Sequence, residues 1–297
     1  MRLRARELVQ LDAKQEALQR IDSWVPEPPQ PSDAGRLLQA ARLLEELKFF
    51  PAAEEKFTAF DKLTSGKTLV LAGFQARQGR INEAFQLVAD RATNDNVKSI
   101  SGAAMFVMSQ LPAKVTDVQF QQAENWVQLA MAQDPADLSL TLNWSSTLEL
   151  LGKTQLAEKI LSDALNANLT RQQRGAVLNN LAYLRAVHGA TDIDTQRLVD
   201  EAEKLVGPHP MIMDSRAMIH LAQSQCSLAV DQLKEALSFG DESGIYHFHL
   251  ALAYQCTSDR SAVFQALEDA ERMEFSVPKL SVYEQQRYRE LQSWLTR

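Results

Sequence analysis

Residues 138–170 read LSLTLNWSSTLELLGKTQLAEKILSDALNANLT, and this stretch decides the fold. Apolar residues recur at helical spacing up to Leu151, and Gly152 and Lys153 interrupt them. Leu156, Ala157, Ile160, Leu161, Ala164 and Leu165 then form one apolar stripe on a second helix, from about Gln155 to Asn168. A helix hairpin this short cannot bury that stripe alone. It needs a similar hairpin on each side, the condition that produces a solenoid.

Where two helices cross closely the side chain must be small, and alanines return along the chain at a fixed interval. Ala130, Ala164, Ala202, Ala236 and Ala270 recur at one step, lengthened only between Ala164 and Ala202. A second series runs through Ala17, Ala53, Ala84, Ala123, Ala157, Ala229 and Ala262, with a gap two repeats long before Ala229. Interval and residue types resemble the tetratricopeptide repeat family, a helix-turn-helix unit of roughly 34 residues. In 138–171 the motif's turn glycine falls on Gly152, its crossing alanine on Ala157, the next large apolar residue on Leu161 and the next small one on Ala164. The preceding unit supplies Ala123, Val127, Ala130 and Asp134-Pro135, and the following one carries LNNLAYL at 178–184. The aromatic expected early in the first helix is an aliphatic here, such as Leu37 or Leu178.

The resemblance implies an all-α chain, a right-handed α-solenoid of about seven units over 34–276. Before it lies an incomplete first repeat at 1–25, with Leu8, Leu11, Ala17, Leu18, Ile21 and Trp24 at helical spacing, and a Pro-rich linker at 26–33. The linker is expected to be extended, with Ser32 and Asp33 as N-cap candidates for a helix from Ala34. Turns are lengthened at 112–118 and 189–194. Residues 280–297 read as a C-terminal capping helix. In it Tyr283, Leu291, Trp294 and Leu295 cover the last apolar face, while Glu284, Arg287, Arg289 and Glu290 meet water. The chain opens almost inside a helix, so a short first hairpin and a piece of a longer protein both fit.

A net charge of −7 argues against a nucleic-acid backbone or an anionic membrane surface as partner, since both need clustered Lys and Arg. No run of 18 apolar residues exists to cross a membrane. Neither a nucleotide-binding glycine loop, a paired-cysteine zinc pattern, HExxH nor GxSxG is present, so no cofactor, metal or catalytic residue is expected. His247 and His249 lie two apart on a helix and point to nearly opposite sides, which prevents easy sharing of a metal. Cys226 and Cys256, each near the turn of its own repeat, read as unpaired residues of a reduced cytosol, and the location expected by default is cytoplasmic.

In the tetratricopeptide family the first helix of each unit lines the concave groove. Carried over by motif position, the resemblance implies a groove over 139–255 that includes Asn143, Asn179, Asn180, Tyr183, Asp214, Met218, His247 and Tyr254. Asn143 and Asn180 share a motif position in successive units, where an amide both donates to and accepts from a peptide main chain. The family's carboxylate clamp needs cations that this groove lacks: Ser101, Met105 and Ala176 stand at the matching positions around Asn143, and Leu142, Ser146, Met211 and Ser215 around Asn180. The leading expectation is a non-catalytic scaffold binding an extended peptide or helix of a partner protein. The alternative is the repeat region of a larger multidomain enzyme or secretion component that positions its partner domain. An enzyme with a site around Asp214, His220 and His247 is the third reading, and a homo-oligomer is compatible with all three.

Overall fold

The computed structural model describes residues 2–10, 12–64, 69–190, 192–240, 243–273 and 275–297, with the side chains of 2 and 3 left aside. Leu11 of the first repeat and Thr191 of the lengthened turn lie outside the described residues. The chain is all-α and splits into two compact units, Met1–Trp126 and Val127–Arg297. Unit one holds α1 (Arg2–Gln10), α2 (Lys14–Asp22), α3 (Ala34–Glu46), α4 (Phe50–Leu63), α5 (Val70–Arg77), α6 (Ile81–Ala89) and α7 (Val97–Gln110); the division falls inside α8 (Asp117–Gln133). Unit two holds α9 (Leu138–Leu150), α10 (Thr154–Ala164), α11 (Arg171–Val187), α12 (Ile193–Val206), α13 (Pro210–Ala222), α14 (Cys226–Ser238), α15 (Gly244–Cys256), α16 (Arg260–Arg272) and α17 (Val282–Thr296).

Within each unit consecutive helices pair as hairpins, and first helices of neighbouring hairpins touch, as α5 does α7 and α11 does α13. One turn chemistry recurs. After α3, α5, α9, α11, α13 and α15 the residues Lys48, Gly79, Gly152, Gly189, Ser224 and Ser258 adopt positive φ. The next N–H then closes back on the helix, Phe49 on Leu44, Lys153 on Leu148 and Gln225 on His220, each at 2.8 Å. This is the Schellman stop, which satisfies carbonyls that the helix end leaves open.

The crossing alanines Ala53, Ala84, Ala123, Ala157 and Ala229 are fully buried. The gap in their series is filled by Thr195, one repeat before Ala229, also with no exposed surface. At the last crossing the buried residue is Val263, not Ala262, which is only half-buried. The array therefore continues with the same step from Ala229 to Val263.

Residues Pro31–Asp33 form one 3-10 turn rather than extended chain. Asp33 does not cap α3 with its side chain; its Oδ2 accepts from the Gln30 N–H at 3.1 Å and closes the turn before it.

Cys226 and Cys256 are joined in a disulfide, contrary to the unpaired reading, with Cα atoms 5.4 Å apart. Cys226 opens α14 and Cys256 closes α15. Both ends lie at the turn edge of adjacent hairpins, so stacking brings them together.

Candidate functional site

The site is built on the inner helices of unit two, and small residues set their register. Gly175 in α11 and Gly244 in α15 lie where the second helix of the hairpin crosses. A methyl group on Gly244 would meet the Ala270 carbonyl oxygen and Phe275 Cβ at 3.0 Å, and one on Gly175 would meet Val206 at 2.5 Å. Counting from these contacts and from Pro210, which opens α13, residues Asn179, Asp214 and Phe248 are equivalent, and so are Asn180, Ser215 and His249. The last repeat thus stands one residue away from the register that places His247 in the groove.

A cavity of about 260 Å³ opens on this face. Its walls come from Ser145, Ser146 and Glu149 of α9, Leu161 of α10, Asn179, Asn180, Tyr183 and Leu184 of α11, Met211, Asp214 and Ser215 of α13, and Ile245 and Tyr246 of α15. Of the sequence-derived groove residues, Asn179, Asn180, Tyr183 and Asp214 meet here. The other four are not among the lining residues. Asn143 is exposed on α9, and Met218 is buried. His247 is half-buried, its pKa lowered by burial and by Arg272. Tyr254 lies under the Lys234 ammonium of α14, 5.6 Å from the ring centre.

Behind the cavity sits a charged cluster. His249 is fully buried, and its Nδ1 donates to Asp214 Oδ1 at 2.6 Å while its Nε2 donates to Glu284 Oε1 at 3.2 Å. A carboxylate can only accept, so a ring facing one on each side carries both protons. Burial pushes the imidazolium toward its neutral form, but Asp214 and Glu284 outweigh it and hold the pKa up at about 10. With both nitrogens engaged, no lone pair is left to take a proton from a substrate.

Glu284 belongs to α17, and its predicted exposure is overturned: the residue is 5% exposed. Its Oε2 accepts from the Ser281 N–H at 2.9 Å, and its own N–H donates to Ser281 Oγ at 3.2 Å, a complete capping box. Its Oε1 also accepts from the Tyr183 hydroxyl at 2.6 Å. Burial raises this carboxyl, yet the bond and charge of His249, with the bonds from Tyr183 and Ser281, bring it to about 2. Tyr183 is driven well above the usual phenol range by burial and by Glu284, Glu149 and Asp214. Burial and the nearby Glu284 raise Glu149 to about 8 against the opposing pull of His249, so it holds a proton at neutral pH.

The start of α17 thereby lies against the earlier repeats. Tyr283 packs near the His188 ring, with centroids 5.5 Å apart, and Val282 lies beside Gly152. Leu291, Trp294 and Leu295 join the apolar cluster of the last hairpin, but Tyr283 joins that of α11 to α13. The S-x-x-E pattern at 281–284 was the available signal for the cap; nothing local marked its partners 35 and 101 residues away.

The third grouping, Asp214 with His220 and His247, does not assemble. Asp214 is engaged with His249, and His220 Nδ1 lies 2.6 Å from Gln225 Oε1. Among the described residues no group of three or more His, Cys, Asp or Glu side chains is placed to hold a metal ion, and no described helix is long and apolar enough to cross a membrane.

Among solved structures, a tetratricopeptide repeat protein from Parabacteroides merdae ATCC 43184 aligns with a TM-score of 0.57 at 12% identity, covering 90% of this chain and 100% of that one. A chain from the APC/C hetero-tetramer Cut9-Hcn1 aligns over 94% of this chain and 75% of that one, also at 12% identity, but its TM-score of 0.30 carries no weight. No protein-family model and no curated protein matches the sequence. At such identity the likeness is one of fold, and the fold is a tetratricopeptide-like helical repeat.

Proposed function

We propose that this chain is a non-catalytic scaffold whose inner helices α9, α11, α13 and α15 bind an extended peptide or a helix of a partner protein. The observation that carries the proposal is the open cavity on that face, where the Asn180 amide and the ring of Tyr183 stand among apolar walls. Such a surface grips a main chain through hydrogen bonds and a side chain through the recess. The tetratricopeptide-like fold supports the same reading, as it leaves a concave face between stacked hairpins. The net charge of −7 favours a protein over a nucleic acid as partner.

The test is capture of partners from native lysate by the wild-type chain and by an Asn143→Ala/Asn180→Ala variant of equal helicity. A partner held by the first and lost by the second supports the groove. Equal retention by both removes it.

The Cys226–Cys256 disulfide supports an oxidising compartment over the cytoplasm, because thiols in a reducing cytosol stay reduced.

A further inference from the structure

We infer that the cavity between α9, α11 and α13 is a pocket for a cation, the guanidinium or ammonium end of an Arg or Lys side chain carried by the bound partner. This rests on the groove reading above and specifies what the recess would take. Three observations lead to it. Asn179 is 5% exposed, and its Oδ1, which belongs to a residue lining the cavity, is shut off from solvent with no hydrogen-bond partner among the described residues. Glu149 Oε1, on the facing helix, is in the same position. The amide oxygen accepts only, and the Glu149 carboxyl becomes an acceptor at both oxygens once its proton leaves; a buried acceptor without a donor is costly until a ligand supplies one.

The third observation is charge. Asp214, on the cavity wall, and Glu284 behind it share the single imidazolium of His249. Two carboxylates against one cation leave the cluster one negative charge in excess before Glu149 is counted. A neutral amide or hydroxyl ligand would satisfy the acceptors but not that charge, whereas an anion would be repelled. Glu149 holds a proton while the pocket is empty, and an arriving cation takes its place, with the proton leaving to solvent. The adjacent Met211 and Ile245 supply apolar wall for the aliphatic stem of a long basic side chain.

The test uses n-butylguanidinium, the end of an arginine side chain, against its neutral isostere n-butylurea. Each is titrated into the purified full chain while the side-chain amide signals of Asn179 and Asn180 are followed by NMR. The guanidinium is expected to shift these signals saturably and to bind at least about tenfold more tightly than the urea, the low end for a hydrogen bond to a charged group. Glu149→Gln is expected to erase most of that preference. Equal binding of the two probes, or no saturable shift with the guanidinium, overturns the inference. The wild-type comparison decides the matter even if Glu149→Gln does not fold. Failure of the groove reading appears separately, as unchanged partner capture by the Asn143→Ala/Asn180→Ala variant.

Discussion

Replacing Glu284 by glutamine tests whether α17 is held by the buried charge at its first turn or only by its apolar face. The carboxylate accepts from Tyr183, His249 and the Ser281 N–H, and all three bonds lie in a site with little solvent. Glutamine keeps the size and one acceptor oxygen but turns an N–H toward groups that themselves donate. It also leaves the His249 imidazolium with one counter-ion, Asp214, in place of two. Breaking one side of a buried pair costs about 3–5 kcal/mol, and a hydrogen bond to a charged group about 1.5–3 kcal/mol. Since the amide oxygen recovers part of this, a loss of about 3 kcal/mol is expected, roughly 100-fold in the opening equilibrium of α17. Global melting is a poor readout, because stability in a repeat array is a sum of local terms. Hydrogen exchange of the α17 amides reads the opening directly. The control is Glu290→Gln on the same helix, whose exposed carboxylate meets Gln286 and Arg287, a surface arrangement worth well under about 1 kcal/mol. If the two variants speed exchange of α17 equally, the buried cluster does not hold the helix.

Two further perturbations act on the same unit. Glu284 is depressed from 4.5 to about 2, so its contribution is present above 4.5 and lost as pH falls toward 2; His249 is raised from 6.5 to about 10 and Glu149 from 4.5 to about 8, so both favour the folded state less as pH rises through those windows. Protection of α17 should therefore peak near pH 4.5 and decline from there toward pH 10, more steeply once the His249 window opens at 6.5, and protection that climbs steadily above pH 6.5 after correction for intrinsic exchange would falsify the charge assignment. The disulfide closes a loop with a sequence separation of 30 residues, for which chain entropy gives about 3.6 kcal/mol. Cys226→Ser/Cys256→Ser should open α14 to α16 by a comparable amount in hydrogen exchange, whereas rapid alkylation of both thiols in unreduced native protein would show that the bond does not form.

The hairpins were legible because each depends on residues close in sequence: a Schellman turn, an apolar stripe and a small residue at the crossing. The disulfide was legible in principle, since Cys226 and Cys256 both stand at the turn edge of adjacent hairpins; reading each cysteine within its own repeat hid the pairing. The cluster was harder, because Glu284 reaches residues 35 and 101 positions away, and no periodic pattern encodes a helix that leaves the stack to lie against earlier members. Yet much of it turns on one residue. At 3.6 residues per turn, a register error of one swings a side chain by about 100°, enough to exchange the groove for the neighbouring second helix. Aligning the last repeat on Ala262 brings His247 into the groove and puts His249 out of it. Aligning it on Ala251, one repeat after the buried Ala217, sets His249 beside Asp214. The crossing position at 263 carries valine instead of alanine, and that single larger side chain concealed the residue on which the buried cluster is built.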